Sequence, residues 1–460
     1  MEFLNRKKPI AGVVPEGDHG LARSLSGLDL TLLGIGAIIG AGIFVLTGIA
    51  AATKAGPALS LSFVVGALAC AFAALVYAEF ASTVPVAGSA YTYTYVTLGE
   101  FPAWIIGWDL ILEYALACAV VAIGWSGYFV SLLGGLGLHL PEVLTRPPSE
   151  GGIINLPAFA VMLLISGLLA VGVRQASLAN MLIVVLKLAV IGLFLYAAVP
   201  HVEPVRWQPF MPFGWSGVMA GAGLIFFAYI GFDAVSTAAE EARNPQRDMP
   251  MGIIASLAVC TLIYIAVTVV LTGIAPYASL NVSDPMAFAL QQVGERFAAG
   301  AVAVGAVAGL TSVLLVMMYG QTRVFYAMSR DGLLPAMFSE VHPHFRTPAR
   351  TTMATGLAIA LAAGLLPIRQ VAELVNVGTL AAFIVVSIAV LYLRRAQPDL
   401  HRPFRTPFLP WTPILAIVAC AYLIASLEAV TLWRFVAWMA IGMVVYFGYA
   451  HRHSRVGRGG

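Results

Sequence analysis

An apolar segment rich in glycine constrains the fold of this chain more than any other feature. Residues 30–50 read LTLLGIGAIIGAGIFVLTGIA, about the length that crosses a bilayer, with glycine at positions 34, 36, 40, 42 and 48. Glycine inside a helix costs about 1 kcal/mol relative to alanine, so this helix is prone to break. Because unpaired backbone is costly in hydrocarbon, a break persists only where it faces protein, water or a solute. The segment therefore predicts a membrane helix that is interrupted at a solute site.

The composition predicts an all-α integral membrane protein. The chain is 60% hydrophobic and 10% charged, with a mean hydropathy of +0.90. Twelve transmembrane helices are predicted, at residues 30–51, 57–80, 102–133, 154–173, 177–199, 214–238, 250–275, 298–328, 352–367, 372–393, 411–429 and 433–450.

The lysines and arginines predict the orientation in the cell inner (plasma) membrane. With both termini cytoplasmic, eighteen of the 25 fall on the inner side and six outside, and Lys187 lies within a span. We expect a cytoplasmic segment at 1–29, a transport core at 30–394, two further spans within 395–450 and a cytoplasmic tail at 451–460. No cleavable signal peptide is expected. The net charge of +3 gives no reason to expect a nucleic-acid partner; membrane lipid is the expected surrounding.

A second interrupted span is predicted about 190 residues after the first. In GLIFFAYIGFDAVSTAAEE, Gly231 and Asp233 stand where a lipid-facing helix should be apolar. Interrupted spans at matching positions of two halves are typical of inverted-repeat transporters, here five helices plus five. The alternative is that Gly231 serves packing and Asp233 ends a helix.

The two interruptions predict a site for a zwitterion. Backbone amides at the start of a half-helix bind carboxylates, and freed carbonyls accept from an ammonium group. The predicted amides are those of Ala41, Gly42 and Ile43, and the predicted carbonyls are those of Phe227, Ala228 and Ile230. Such a pair suits an α-amino acid. Close helix packing through Gly36 and Gly40 is the alternative for the first segment.

Lys187 lies in the apolar run LIVVLKLAVIGLFLY with no acid within a helical turn. A charge at the bilayer centre costs at least about 2.5 kcal/mol, so an ionisable group there indicates function. A lysine that gains and loses a proton with conformation would couple protons to transport. Snorkelling towards an interface is the alternative.

Two further spans carry candidate site residues. Asp109 and Glu113 share one helix face; we expect Glu113 to line the site and Asp109 to make a structural bond. Either Met317 or Met318 would cap the pocket if it faced it, although both suit the core. The histidines and cysteines form no metal or nucleophile set, so neither a cofactor nor an enzyme is expected.

Long motifs across nearly the whole chain resemble bacterial members of the cationic amino acid transporter family, within the amino acid–polyamine–organocation superfamily. They are GIGAIIGAGIFVLTG (34–48), YAEFASTVPVAGSAYTY (77–93), GWDLILEY (107–114), FFAYIGFDAVSTAAEEARNPQRDMP (226–250) and MMYGQTRVFYAMSRDGLLP (317–335). The resemblance implies a leucine-transporter-like 5+5 inverted repeat with helices 1 and 6 broken, and proton-coupled uptake.

The family's site residues, carried over by position, agree with most of these predictions. The carboxylate-binding turn of the family falls on Ala41 and Gly42, and its side-chain pocket falls on Glu113 and Met317. Lys187 corresponds to the lysine that takes the place of sodium. The amine-binding carbonyls fall on Ile38, Phe227, Ala228 and Ile230. Met317 is bulky and apolar where a long cationic side chain needs room, so we expect small neutral L-amino acids such as alanine.

The leading hypothesis is a proton-coupled symporter of small L-amino acids that works by alternating access. An amino acid exchanger and a transporter of cationic amino acids are the near alternatives. A sensor that binds an amino acid without moving it belongs to a different class, and the short loops count against it.

Overall fold

The chain is almost entirely helical. The computed structural model describes residues 25–83, 89–172 and 177–456. Over these ranges the one β-type pairing is an isolated parallel bridge between Leu25 and Ala242. Most of the predicted segment 1–29, residues 84–88 of one family motif and the last four residues of the predicted tail lie outside the described residues.

The described α-helices of eight residues or more are numbered in chain order. They are α1 (Gly27–Ile38), α2 (Leu59–Thr83), α3 (Ser89–Thr97), α4 (Glu100–Gly135), α5 (Leu156–Val171), α6 (Ser177–Ala198), α7 (Gly214–Ile225), α8 (Pro245–Ile274), α9 (Pro285–Gln292), α10 (Arg296–Arg330), α11 (Ala349–Leu365), α12 (Ile368–Ala396), α13 (Trp411–Ala425) and α14 (Ala429–Val445).

The apolar helices agree in position with the predicted spans. Seven helical stretches of the described chain are long and apolar enough to cross a membrane: Gly42–Thr83, Glu100–Gly135, Met181–His201, Pro245–Ile274, Arg296–Arg330, Ile368–Ala396 and Ala429–His453. Five shorter apolar helices are Gly27–Ile38, Leu156–Val171, Gly214–Tyr229, Ala349–Leu365 and Trp411–Ala425. The chain is therefore a multi-pass membrane protein, and the number of crossings stays a prediction.

The stretch Gly42–Thr83 contains a reversal of the chain. Forty-two helical residues would extend about 63 Å, twice the thickness of the hydrocarbon core. Gly56 has a φ of 62°, in the region that favours glycine, and Pro57 follows it. The chain turns there between a segment of π- and α-helical turns (Gly42–Ala55) and α2.

Helix packing brings the two glycine-rich segments together. The helix α1 packs against α6 and α8, and α4 packs against α10 and α12. The turns that follow α1 and α7 contact each other between these helices. The predicted site residues on α6 and α10 therefore lie beside the same contact.

Candidate functional site

The first glycine-rich segment is interrupted where the sequence predicted. The helix α1 ends at Ile38, and Ile39 leaves helical geometry with a ψ of 97°. A π-helical segment (Gly42–Leu46) then begins, with Ala41 at its cap. We call residues 39–41 the first interruption. The first N–H groups of the new helical segment lack intrahelical acceptors, and these include the predicted carboxylate-binding amides.

The second glycine-rich segment is interrupted as well. The helix α7 ends at Ile225, and a 3-10 turn (Phe226–Tyr229) follows. Ile230 is extended, and Gly231 has a φ of 121°, which residues with a side chain rarely adopt. We call residues 226–232 the second interruption.

Glycine allows the two interruptions to touch at two points. A Cβ added to Gly42 would lie 2.5 Å from Cβ of Ala228, and a Cβ added to Gly231 would lie 2.8 Å from the carbonyl oxygen of Ala37. Both distances are too short for a side chain. The glycines at 42 and 231 therefore serve close backbone approach.

Lys187 bonds the carbonyls that the first interruption frees. Its side chain is only 1% exposed, and Nζ donates to the carbonyl oxygens of Gly36 at 2.8 Å and Ile39 at 3.0 Å. In the described part of the chain no carboxylate lies within ion-pair distance of it. The lysine stem lies over Gly309 of α10, where a Cβ would be 3.0 Å from Cγ. Lys187 is thus held at the end of α1 and does not snorkel.

Tyr264 of α8 joins the two interruptions, and the sequence analysis missed it. Its buried hydroxyl lies 2.9 Å from the carbonyl oxygen of Ile38 and 2.9 Å from that of Ala228. A tyrosine within the apolar run LAVCTLIYIAV was the available signal. A buried tyrosine hydroxyl normally finds a hydrogen-bond partner, and here it connects two of the predicted substrate carbonyls.

The structure separates the two methionines of α10. Met318 is fully buried, and its Cε lies 3.5 Å from where a Cβ of Gly356 on α11 would be. Met317 is half-buried, one helical turn beyond Val313, which lies against Gly40. Of the two, Met317 is the one on the side of the first interruption.

The structure places Glu113 away from the first interruption, on the side of Asp233, which directly follows the second interruption. The residues of α4 that meet the first interruption and the turn after it are Gly124, beside Ala41, and Tyr128, whose hydroxyl donates to Phe44 O at 2.7 Å. Glu113 precedes Gly124 by eleven residues, a rise of about 16 Å along a helix. Its electrostatic neighbours are instead Asp233 and Asp109.

The structural bond expected of Asp109 is not found. Its side chain is 2% exposed, and within the described residues neither carboxyl oxygen has a hydrogen-bond partner. The carboxyl faces Gly378 of α12, where a Cβ would lie 2.5 Å from Oδ1. A residue with a side chain at position 378 would therefore clash with this carboxyl group.

The remaining predicted contacts are apolar and buried. Ile38, Ile43, Phe227 and Ile230 are each at most 5% exposed. They surround the interruptions with hydrocarbon, which strengthens any hydrogen bond made to the freed backbone groups.

Comparisons with known proteins show the family to which this chain belongs. A model of the amino acid permease family matches residues 25–447. The chain is 53% identical over 458 residues to the branched-chain amino acid permease BcaP of Bacillus subtilis (strain 168), with 98% of both chains covered. It is 52% identical over 457 residues to the methylthioribose transporter of the same organism, with 99% of both covered.

A plant relative is more distant. The vacuolar cationic amino acid transporter 4 of Arabidopsis thaliana is 39% identical over 410 residues, which are 87% of this chain and 68% of the relative. The family resemblance that the motifs predicted is thereby confirmed. The protein is a transporter rather than an enzyme, and it belongs to the amino acid permease family of the amino acid–polyamine–organocation superfamily.

Proposed function

We propose that the protein is a proton-coupled symporter that imports neutral L-amino acids by alternating access across the plasma membrane. The observation that carries the proposal is the contact of two interrupted helices, with one buried lysine bonded to freed carbonyls of the first. The proposal includes twelve spans, both termini in the cytoplasm and a core at 30–394 of two inverted five-helix repeats.

The substrate would bridge the interruptions by its two charged groups. Its carboxylate would accept hydrogen bonds from the amides of Ala41, Gly42 and Ile43, at the positive end of the second half-helix. Its ammonium would donate to the carbonyls of Ile38, Phe227, Ala228 and Ile230. Charge-assisted hydrogen bonds of this kind are about twice as strong as neutral ones, which favours a zwitterion.

The proton would act through Lys187. A protonated amine donates strong, charge-assisted hydrogen bonds to Gly36 O and Ile39 O, whereas deprotonation removes the charge and one of the three N–H donors and leaves only weaker, neutral hydrogen bonds. Loss of the proton would therefore loosen the end of α1. Since α1 carries half of the proposed site, proton release and substrate release would be linked.

The substrate class is proposed as neutral and aliphatic. Met317 supplies an apolar surface on the side of the first interruption, with no charge to meet a cationic side chain. BcaP of Bacillus subtilis is named for branched-chain amino acids, which favours these as a second candidate beside alanine. The methylthioribose transporter is equally similar, so overall identity does not decide between substrates.

Reconstituted protein tests the coupling. Proteoliposomes under an inward pH gradient should accumulate labelled L-alanine or L-leucine without sodium, and Lys187→Ala should abolish accumulation. Lys54→Ala is the matched control, because Lys54 makes only a surface ion pair with Glu428 at 3.3 Å. Full pH-driven uptake by Lys187→Ala would reject the proton role. Uptake that needs amino acid inside the vesicles would indicate an exchanger, and binding without any flux a sensor.

A second variant tests the account of selectivity. Met317→Ser removes bulk and adds a hydroxyl, so competition by L-arginine for bound L-alanine should increase. Met318→Ser, on the face towards α11, is the control and should not change the preference. Unchanged arginine binding by Met317→Ser would show that another residue sets selectivity.

A further inference from the structure

Asn376 of α12 caps the end of α7, the helix that leads into the second interruption. The residue is fully buried, and its Nδ2 donates to the carbonyl oxygens of Gly223 at 2.7 Å and Leu224 at 2.9 Å. The cap N–H of α7, that of Phe226, bonds to the carbonyl of Ala222. The two carbonyls that Asn376 bonds directly follow that of Ala222 in the chain. They lie in the last turn of α7, where carbonyls lack donors within the helix.

The same arrangement exists at the first interruption. There Lys187 donates to the carbonyls of Gly36, in the last turn of α1, and of Ile39, the first residue after the helix. Lys187 and Gly36 are 151 residues apart, and Asn376 and Gly223 are 153 apart. The two donors are separated by 189 residues (376 − 187) and the two glycines by 187 (223 − 36). A nearly constant offset for donor and acceptor is expected of two halves built on one plan.

The two caps differ in one chemical property. An ammonium group changes its charge when it loses a proton, whereas a carboxamide donates the same two hydrogen bonds at every pH at which the protein is folded. Both lie at the negative end of a helix dipole, where a donor is favourable. One helix end is therefore held by a group that protons can switch, and the other by a group that they cannot.

We propose that Asn376 is the uncharged counterpart of Lys187, a positioning residue that fixes the end of α7 and thereby orients the carbonyls of the second interruption for the substrate ammonium. The proposal rests on the proposed function, since it assigns the second interruption to the amine. Its consequence is a division of labour, in which α7 keeps its geometry through the cycle while α1 responds to protonation. Removing the donor at 376 should then weaken substrate binding, and an ionisable donor there should make binding depend on pH in a new way.

Asn376→Asp provides the ionisable donor with almost no change of shape. Its carboxylate would face two carbonyl oxygens and donate nothing, whereas its protonated form would donate one O–H bond. The affinity of the variant for L-leucine or L-alanine is measured and divided by the affinity of the parent protein at the same pH. This ratio should be about tenfold below 1 at pH ~8 and should rise several-fold on acidification.

Asn155→Asp is the matched control. Asn155 is also buried, but it uses its oxygen, which accepts from Ser126 Oγ at 2.6 Å and from Ala158 N at 3.2 Å. An aspartate there keeps the acceptor, so its relative affinity should not rise with acid. If the affinity of Asn376→Asp relative to the parent did not change with pH and only its thermal stability were lowered, Asn376 would be merely structural. That result would overturn the proposal.

A second pair of variants covers the case in which Asn376→Asp does not fold. Asn376→Thr and Asn376→Val have the same shape, but only threonine donates a hydrogen bond. Tighter L-leucine binding by the threonine variant supports the proposal, and equal binding overturns it. If the parent binds no neutral amino acid, the proposed function fails by itself. The hydrogen bonds made by residue 376 are then tested by stability instead of binding. On acidification, the melting temperature of Asn376→Asp must rise relative to that of Asn155→Asp.

Discussion

Glu79 joins the end of α2 to the end of α12 through a buried ion pair, and its replacement should destabilise the fold. Its carboxylate accepts from Arg394 at two points, Nε at 2.7 Å and Nη2 at 2.9 Å, and from the backbone N–H of Thr406 at 2.8 Å. Arg402 adds a longer contact at 3.5 Å. We predict that Glu79→Gln, which keeps the shape and removes the charge, is strongly unfavourable.

The magnitude follows from the burial of the charges that remain. The side chains of Glu79 and Arg402 are each 3% exposed, and that of Arg394 is 21% exposed. Removing one partner of a buried pair costs 3–5 kcal/mol, and the partial exposure of Arg394 favours the lower end, about 3 kcal/mol. Scaling the entropy of unfolding to 460 residues gives roughly 1 °C per kcal/mol, so the melting temperature should fall by about 3 °C.

Thermal unfolding of purified protein in detergent measures this, with Glu340→Gln as the control. Glu340 pairs with Arg350 at 3.4 Å, but both side chains are more than half exposed, so that change should cost less than about 0.5 kcal/mol. The double variant Glu79→Gln/Arg394→Gln should recover part of the loss because it removes the uncompensated charge. A Glu79→Gln protein as stable as Glu340→Gln would refute the reasoning.

Three further outcomes are expected. Gly231→Ala should lose about 1–3 kcal/mol of stability because its φ is positive and its Cβ would meet the Ala37 carbonyl, whereas Gly300→Ala, with open space around it, should be neutral or stabilising in the same melting assay. Burial raises the pKa of Asp284, in the loop before α9, to about 6; the folded state then holds its proton more tightly than the unfolded chain, and stability falls as pH rises from about 4 to 6. Asp284→Asn should therefore be more stable than the parent by up to about 3 kcal/mol at pH ~8 and equal to it at pH ~4; a constant difference would contradict this. Tyr264→Phe should weaken L-alanine binding several-fold in equilibrium titration, because it removes the hydroxyl that hydrogen-bonds the carbonyls of both interrupted helices. Unchanged affinity would show that this hydroxyl has no role in binding.

The local features of the site were predictable from the sequence. Gly40 and Gly231 lie where the backbone leaves helical geometry, and the low helix propensity of glycine can be read directly from the sequence. Lys187 was identifiable because a single charged residue in an apolar span is energetically costly and therefore indicates function. The apolar helices were also placed closely, as with α4 (Glu100–Gly135), predicted at 102–133.

The partners of the freed carbonyls were not predictable in the same way. Tyr264 and Asn376 lie more than 150 residues from several of the carbonyls they bond, and only the packed fold brings them there. Asp109 and Glu113 were placed correctly on one helix face, but the height of the first interruption along α4 was unknown. The short helices α3 and α9 were missed because neither is long enough to span a membrane.

The hydroxyl of Tyr264 has one hydrogen and two carbonyl oxygens at the same distance of 2.9 Å. It can donate to Ile38 O or to Ala228 O, but not to both at one moment. The carbonyl oxygen that does not receive this hydrogen bond is left without the tyrosine donor in a buried site, where an unsatisfied acceptor is unfavourable. In the proposed function, an arriving ammonium group would therefore find an acceptor already present, and a small rotation of the O–H bond would offer the other oxygen in turn.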